Sequence, residues 1–389
     1  MKDLHLYFEP VNKELFSKEF ENGQIGSSVD FHFKNEFPDV CNCQIVILGV
    51  PENRNSVSEK DSSFFADAVR PFFYNLYNHF PNIKIADIGN LKTGLSVNDT
   101  YEAVGSILAK FIEKKIIPFI IGGSQDLTYA NYLSYEKSDR IINILSIDPR
   151  IDIGKPDESI NNNTWLNNII FRNPNYLFNF SNIGYQSYFV DTEVVSLIKK
   201  LFFDATRLGV AKSNLAEIEP IVRNADVLSF DMSSIRMSDC PAATFNSPNG
   251  FSGEDACQIM RYAGKSEKIS SLGLYELAPA FDINNISVRL VAQMIWYFIE
   301  GFSTRTGKNP HIDKSNMIKY IVSMHEIKSD ITFYKNPITE KWWMEVPCPK
   351  NLFSKFERHY MVPCSYKDYE EAMKENIPDR WWQTFQKFM

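Results

Sequence analysis

The sequence predicts an α/β protein with a parallel sheet of about eight strands in a three-layer sandwich, followed by a C-terminal α+β extension. Short apolar runs rich in Ile and Val alternate with longer amphipathic stretches between residues 44 and 303. Continuous apolar runs are typical of strands that are buried on both faces, and parallel strands need helical crossovers between them. The chain has no internal repeat and no low-complexity segment.

The elements can be placed one after another from these patterns. The predicted strands cover residues 44–50, 83–88, 116–121, 141–147, 176–184, 207–210, 227–231 and 269–277. The predicted helices cover residues 62–80, 97–115, a segment from about 127, then 192–203, 215–224, 254–263 and 287–302. Pro71 predicts a break or a start within the first helix. We therefore expect an N-terminal arm over 1–43, an α/β domain over 44–304 and an extension over 305–389.

The extension has its own pattern. The turn Lys335-Asn336-Pro337 separates two β-like runs, which predicts a hairpin, and helical stretches follow within 364–377 and from Pro378 to Phe388. Four of the six tryptophans lie here: Trp342, Trp343, Trp381 and Trp382. Tryptophan is enriched at interaction hot spots, so these rings either mediate self-assembly or protein binding, or they cover a small core of the extension itself.

Composition excludes several classes of protein. Lys and Arg number 41 against 48 Asp and Glu, so the net charge is −7, which argues against nucleic acid as a partner. No apolar stretch reaches the roughly 18 residues of a membrane span, and the N-terminus has no apolar leader, so we expect a cytoplasmic protein. The six cysteines show no metal-binding spacing and are expected to be reduced. None of the six histidines lies between residues 80 and 310.

Polar residues follow four of the predicted strands. Gly122-Gly123-Ser124-Gln125 follows the third, Asp148-Pro149-Arg150-Ile151-Asp152 the fourth, Asp231-Met232-Ser233 the seventh and Glu276-Leu277-Ala278-Pro279 the eighth. Open α/β sheets bind ligands beyond the carboxyl ends of their strands, so these residues are the candidates for a site. The missing histidines exclude imidazole chemistry there unless a distant histidine folds in.

At these residues the sequence resembles the ureohydrolases: arginase, agmatinase and, most closely in style, formimidoylglutamase. The signatures of that family are a Gly-Gly-Asp-His turn, an Asp-Ala-His-x-Asp motif, a Ser-Phe-Asp-x-Asp motif and a late Glu-x-x-Pro. This chain matches them in order and strand context over roughly residues 44–303, and a turn at 249–254 also resembles the family. The resemblance implies an arginase-like fold and hydrolysis of a guanidino or formimidoyl carbon, in which two manganese ions activate a shared water.

The resemblance also assigns the metal ligands residue by residue. They correspond to Gln125, Asp148, Arg150, Asp152, Asp231 and Ser233, so both histidines and one aspartate are absent. The first ion would keep three aspartates with Gln125, whereas the second would lose both of its private ligands, at Arg150 and Ser233. Arginine stays protonated and cannot bind a metal.

We therefore expect Arg150 to lie among the aspartates, to donate to them bidentately and to replace the second ion electrostatically. The three aspartates and Arg150 together leave a net negative charge, and two alternatives stay open for how it is balanced. Arg150, and Arg236 with it, could complete a metal-free network of ion pairs. Alternatively one divalent ion (Mg, Ca or Mn) could bind Asp148, Asp152 and Asp231, and such an oxygen-only set suits magnesium or calcium better than manganese.

These arguments favour a homologue with a degraded dimetal centre, without cofactor, inactive as an enzyme and acting as a cytoplasmic binding or scaffold protein. The competing hypothesis is a hydrolase of a linear amidine C–N bond, of the formimidoylglutamate, agmatine or arginine type, that uses a single metal. Asn162, Asn163 and Thr164 lie where the family binds the amino-acid end of its substrate and could hold a small amino-acid-like ligand, although a solvated loop is the simpler interpretation.

Overall fold

The structure is a computed structural model that describes residues 3–16, 18–34, 36–307, 314–325 and 329–389. Its strands are β1 Phe8–Glu9, β2 Asp30–Phe31, β3 Ile45–Val50, β4 Ile85–Leu91, β5 Ile117–Gly122, β6 Ile142–Ile147, β7 Leu177–Tyr185, β8 Asp204–Arg207, β9 Val227–Asp231, β10 Ser271–Tyr275, β11 Ile318–Met324, β12 Ser329–Lys335, β13 Trp342–Glu345 and β14 Met361–Cys364. Its helices are α1 Phe65–Phe73, α2 Val97–Glu113, α3 Leu127–Lys137, α4 Trp165–Ile170, α5 Thr192–Lys200, α6 Leu208–Ser213, α7 Glu219–Asn224, α8 Gly253–Lys265, α9 Ile286–Ser303, α10 Phe353–Phe356, α11 Tyr366–Met373 and α12 Asp379–Phe388.

A ten-stranded sheet forms the centre of the molecule. Its order is β1-β4-β3-β5-β10-β9-β6-β7-β8, with β2 also paired to β4. All pairs are parallel except β1 with β4. Every residue of β3, β5, β6, β9 and β10 is buried, because apolar clusters cover both faces of the sheet. The predicted α/β architecture with a parallel sheet is confirmed.

Capping fixes where two of the long helices begin. The Ser96 hydroxyl accepts a hydrogen bond from the Asp99 backbone N–H, and the Asp99 carboxylate accepts one in return, which starts α2. Ser252 and Asp255 make the same reciprocal pair at the start of α8. The first predicted helix is shorter than expected, because α1 ends at Phe73; Pro71 lies inside it instead of breaking it.

A second sheet follows the central one in sequence. It is antiparallel, in the order β11-β12-β13-β14. Lys335 pairs with Trp342 across the predicted hairpin, which is therefore confirmed. The sequence patterns did not indicate β11 or β14. β11 is an edge strand with several exposed side chains, so it lacks the apolar run that marks a buried strand.

The extension packs against the amino ends of the central strands. Arg223 in α7 donates to the carbonyl oxygens of Trp342 and Cys364, and Phe178 in β7 joins the apolar cluster of the second sheet. This is the end of the sheet opposite to the polar strand ends. Among the described residues, no helix has both the length and the apolar character that a membrane crossing requires.

Three of the four tryptophans of the extension are buried. Trp342, Trp343 and Trp381 belong to its apolar cluster, and the Trp381 indole N–H donates to the Glu345 carbonyl at 3.1 Å. Only Trp382 of this group is exposed, at 42%. These contacts favour the interpretation that the rings form a core of the extension, and Trp382 is the exposed one of the four tryptophans.

Candidate functional site

Four neighbouring strands of the central sheet end beside one another. They lie in the order β5-β10-β9-β6, so their carboxyl ends share one edge. The residues at those ends are Gln125, Glu276, Asp231, Asp148 and Asp152, and all of them are buried. Tertiary structure therefore brings together the five strand-end residues that sequence patterns singled out, from positions as far apart as 125 and 276.

The carboxyl groups of this cluster face one another. Burial raises the pKa of Asp148 well above its usual value, and the nearby Asp152 raises it further. Burial likewise raises the pKa of Asp231, with added repulsion from Asp148 and Glu276. Burial raises the pKa of Asp152 to about 7 and that of Glu276 to about 7. Crowded carboxylates in a poorly solvated place favour a proton or another cation.

Two partners that sequence reasoning missed hold these carboxylates in place. The Trp165 indole N–H donates to Asp152 Oδ2 at 2.7 Å, and the Thr244 hydroxyl donates to Glu276 Oε2. Trp165 begins α4 directly after the polar loop at 161–164, and Thr244 lies in the loop after β9. Neither had a local signal, because each meets its carboxylate only through the fold.

Gln125 is turned toward two hydroxyl groups. Its backbone N–H donates to Glu276 Oε1 at 2.8 Å, while its side-chain amide nitrogen donates to Ser146 Oγ at 3.1 Å and Ser229 Oγ at 3.2 Å. These serines interrupt the apolar runs of β6 and β9, and that interruption is a signal that the sequence carried.

The position of Arg150 corrects an expectation. Its guanidinium makes no ion pair with any carboxylate of the described residues. Instead it lies 4.0 Å from the centre of the Phe245 ring and donates to Asn163 Oδ1 at 3.2 Å. Only its backbone N–H reaches the cluster, at 2.6 Å from Asp148 Oδ1. The predicted bidentate contact is wrong, because an aromatic face and a side-chain amide already hold the guanidinium.

Arg236 was expected to help and also lies elsewhere. Its Nε donates to Asp239 Oδ1 at 2.9 Å, in a partly exposed pair. The ion-pair network that these two arginines were expected to form around the aspartates is therefore not present in the described part of the chain. The charge of Arg150 acts on the cluster only from a distance, where it lowers the pKa of Asp152 against the larger effect of burial.

The loop proposed for substrate lies next to the cluster. Asn162 is buried, and its side chain lowers the pKa of Glu276 through a hydrogen bond, while its Oδ1 accepts the Val57 N–H at 2.9 Å. Asn163 accepts from Arg150. The Thr164 hydroxyl is used within the loop, where it donates to the Ser159 carbonyl. Two of the three predicted residues thus approach the site.

The residues present do not fit a pair of divalent ions. At the positions of the two imidazoles, Gln125 donates its amide to serine hydroxyls and Arg150 packs on Phe245. The Ser233 hydroxyl accepts the Phe245 N–H at 3.3 Å. Across the described residues, no three His, Cys, Asp or Glu side chains are grouped so that they could hold an ion. One feature fits a single cation: Asp148 Oδ2 is buried and accepts no hydrogen bond from the described part of the protein.

The sequence is similar to a known family of proteins. The family model described as the arginase family matches residues 43–300. A formimidoylglutamase of Staphylococcus haemolyticus is 25% identical over 259 residues, which cover 64% of this chain and 82% of that protein. A formimidoylglutamase of Staphylococcus carnosus is 27% identical over 268 residues, with the same coverage of 64% and 82%.

Solved structures share the fold. Formimidoylglutamase from Bacillus subtilis has a TM-score of 0.66 at 14% identity, covering 75% of this chain and 96% of that one. Formiminoglutamase from Trypanosoma cruzi, a structure with Mn²⁺, has a TM-score of 0.63 at 20% identity, covering 68% and 95%. The sheet order, the four strand-end motifs and a family match over about two-thirds of the sequence lead to one conclusion: this chain belongs to the arginase family.

Proposed function

We propose that this chain is an arginase-family protein without two-metal hydrolysis, which acts by binding a ligand or a protein partner. The observation that carries the proposal is Arg150. It stands where the second ion would need an imidazole, a guanidinium does not bind metal ions, and this one is held against Phe245.

The energetic consequence is large. Activation of water by two divalent ions contributes several kcal/mol to hydrolysis, so its loss lowers the rate by roughly a thousandfold or more. No histidine of the sequence lies between residues 80 and 310, the span that supplies the strand-end residues of the cluster. What remains is a buried group of carboxyl groups that favours a cationic ligand over an anionic one.

Elemental analysis and a turnover assay test this proposal together. We expect purified protein, after incubation with Mn²⁺ and desalting, to carry less than stoichiometric metal and to release no product from formimidoylglutamate, agmatine or arginine. The matched variant carries Gln125→His, Arg150→His and Ser233→Asp, and we expect it to gain bound Mn²⁺. Stoichiometric metal with turnover in the unmodified protein would overturn the proposal.

A single-metal hydrolase of a linear amidine is the second candidate. The buried and unpaired Asp148 Oδ2 favours it, and Asp148, Asp152 and Asp231 would have to move closer together to hold the ion, since they are not grouped around a metal position among the described residues. Such an ion would supply Lewis acidity that activates a water molecule for attack on the amidine carbon. Asp148→Asn should then abolish both metal binding and turnover, whereas Asp239→Asn, which alters a partly exposed carboxylate away from the cluster, should change neither.

The organisation of the chain and its location belong to the same proposal. We place an arm at 1–43, the α/β domain at 44–304 and the extension at 305–389, with Trp382 as the exposed ring available to a partner. All six cysteines are free, which supports a reducing compartment such as the cytoplasm. Limited proteolysis should cut between the two sheets before it cuts within either, and cuts inside β3–β10 that come first would contradict these boundaries.

A further inference from the structure

A basic cavity lies beside the carboxyl end of β7, outside the carboxylate cluster. Its volume is about 320 Å³. Its lining residues include Gln186, Tyr188, Arg207, Lys212, Arg236 and Asn249. The loop after β7, the start of α6 and the turn before α8 form its walls. None of the strand-end residues of the candidate site lines it.

The lining of the basic cavity carries cationic side chains, and two of them also pair with a carboxylate outside the lining. Three cationic side chains line it and no acidic side chain does, although acidic residues outnumber basic ones in the chain by 48 to 41. Lys212 is 3.2 Å from Asp255, and Arg236 uses only its Nε for Asp239. Arg207 has no acidic partner among the described residues. The terminal nitrogens of two guanidinium groups are thus available to a ligand.

One buried glutamine and two exposed polar side chains shape the mouth of the cavity. Gln186 is only 3% exposed, and its amide nitrogen donates to the Asn249 carbonyl at 3.2 Å. Its Oε1 accepts the Tyr188 hydroxyl, which in turn accepts the Asn249 side-chain amide at 3.5 Å. These bonds fix the loop and the turn relative to each other before any ligand binds, which lowers the entropic cost of binding.

We propose that the basic cavity binds a small molecule that carries a phosphate group. Guanidinium groups present paired N–H donors that match the oxygens of a phosphate, and Arg207, whose charge no described carboxylate balances, attracts a doubly charged anion more strongly than a singly charged one. The volume is at the lower end of the range for small-molecule sites, so the ligand is compact.

Isothermal titration calorimetry with inorganic phosphate in low salt tests this site. We expect one saturable site, weakened by added NaCl because the contacts are electrostatic. Arg207→Gln should lower the affinity about tenfold, the effect of losing one charge-assisted hydrogen bond. Arg289→Gln is the matched control, since it removes the same charge from an exposed arginine outside the cavity, and it should leave the affinity unchanged.

Three results would overturn the proposal. They are the absence of saturable phosphate binding by the unmodified protein, an equal loss in the two arginine variants, and tighter binding of the dicarboxylate glutarate than of phosphate. Arg236→Gln provides a second cavity variant, and a thermal melt of each variant verifies that it is folded. Metal content plays no part in these measurements, so they are independent of the proposed function.

Discussion

The two ends of the central sheet both bury carboxylates, with opposite electrostatic results. At the carboxyl end, Asp148, Asp152, Asp231 and Glu276 face one another, and their pKa values are raised. At the amino end, Asp226 precedes β9 and is fully buried among cations. The difference shows that burial alone does not decide the charge of a carboxyl group; its neighbours do.

At the amino end, cationic side chains balance the charge of the Asp226 carboxylate. Asp226 Oδ1 lies 2.5 Å from Arg358 and 3.2 Å from Arg140, and its other oxygen lies 3.9 Å from Lys268. Burial by itself would raise the pKa of Asp226, but these cations together lower it. Arg358 comes from the extension, so the pairing attaches the extension to the sheet. The amino end thus keeps its carboxylate ionised and attached to the extension, whereas the raised pKa values at the carboxyl end favour the neutral carboxyl form.

Removing the charge of Asp226 should have the largest effect. Asp226→Asn leaves three cations facing one another in a poorly solvated place, and we expect the free energy of unfolding to fall by about 3–5 kcal/mol. Urea denaturation followed by circular dichroism measures it. Asp330→Asn, at an exposed position of β12, is the control and should change little. A loss below about 1 kcal/mol for Asp226→Asn would contradict the interpretation that Asp226 forms buried ion pairs with these cations.

The adjacent tryptophans of α12 test how the extension is held. Trp381 is buried and hydrogen-bonded, so Trp381→Ala should cost about 3–5 kcal/mol of unfolding free energy. Trp382→Ala should cost about 0.5 kcal/mol or less, since that ring is largely outside the core. Thermal melts of both variants give the comparison. Equal costs would show that α12 does not pack as the structure has it.

A substitution at the carboxyl end should stabilise the protein at high pH. The pKa of Asp152 is raised from 3.8 to about 7, so the stability that it contributes is fully present below pH 3.8 and is lost as the pH rises through 7. Asp152→Asn removes that loss, so the variant should have a larger free energy of unfolding than the unmodified protein. Between pH 5 and pH 7 the loss grows by about 1.4 kcal/mol per pH unit. The stabilisation by Asp152→Asn should therefore be roughly 2–3 kcal/mol larger at pH 8 than at pH 5.

Urea denaturation at pH 5 and pH 8 measures this difference, and Trp165 can still donate to the asparagine carbonyl. For the exposed control Asp330→Asn, we expect the change in the free energy of unfolding to be the same at both pH values. A variant that is less stable than the unmodified protein at pH 8 would show that Asp152 is charged and matched by a cation there.

The smallest effect is expected at Arg150. Since its guanidinium packs on Phe245 and bonds to Asn163, Arg150→Ala should cost about 0.5–1 kcal/mol of unfolding free energy. A buried ion pair with the aspartates would instead cost about 3–5 kcal/mol. Chemical denaturation of Arg150→Ala thus distinguishes a guanidinium that packs on Phe245 from one that is paired with the aspartates.

Much of the fold could be predicted because its signals are local. The apolar runs of β3, β5, β6, β9 and β10 mark strands that are buried on both faces, and the strand-end residues could be listed from the same pattern. β11 and β14 could not be predicted, because an edge strand and a four-residue strand carry little periodicity.

The sequence by itself determined the chemistry available at the site. It established that imidazole is absent at residues 125 and 150 and that carboxylates follow the strands, because residue identity and strand pattern are both local properties. Tertiary structure alone decided where charges meet. A long side chain such as Arg150 can reach either the aspartates or Phe245, and the choice depends on a ring almost a hundred residues away in sequence. The pair of Arg358 and Asp226 joins residues that are 132 positions apart. Electrostatic energy depends on distance and solvation, which only the folded chain fixes.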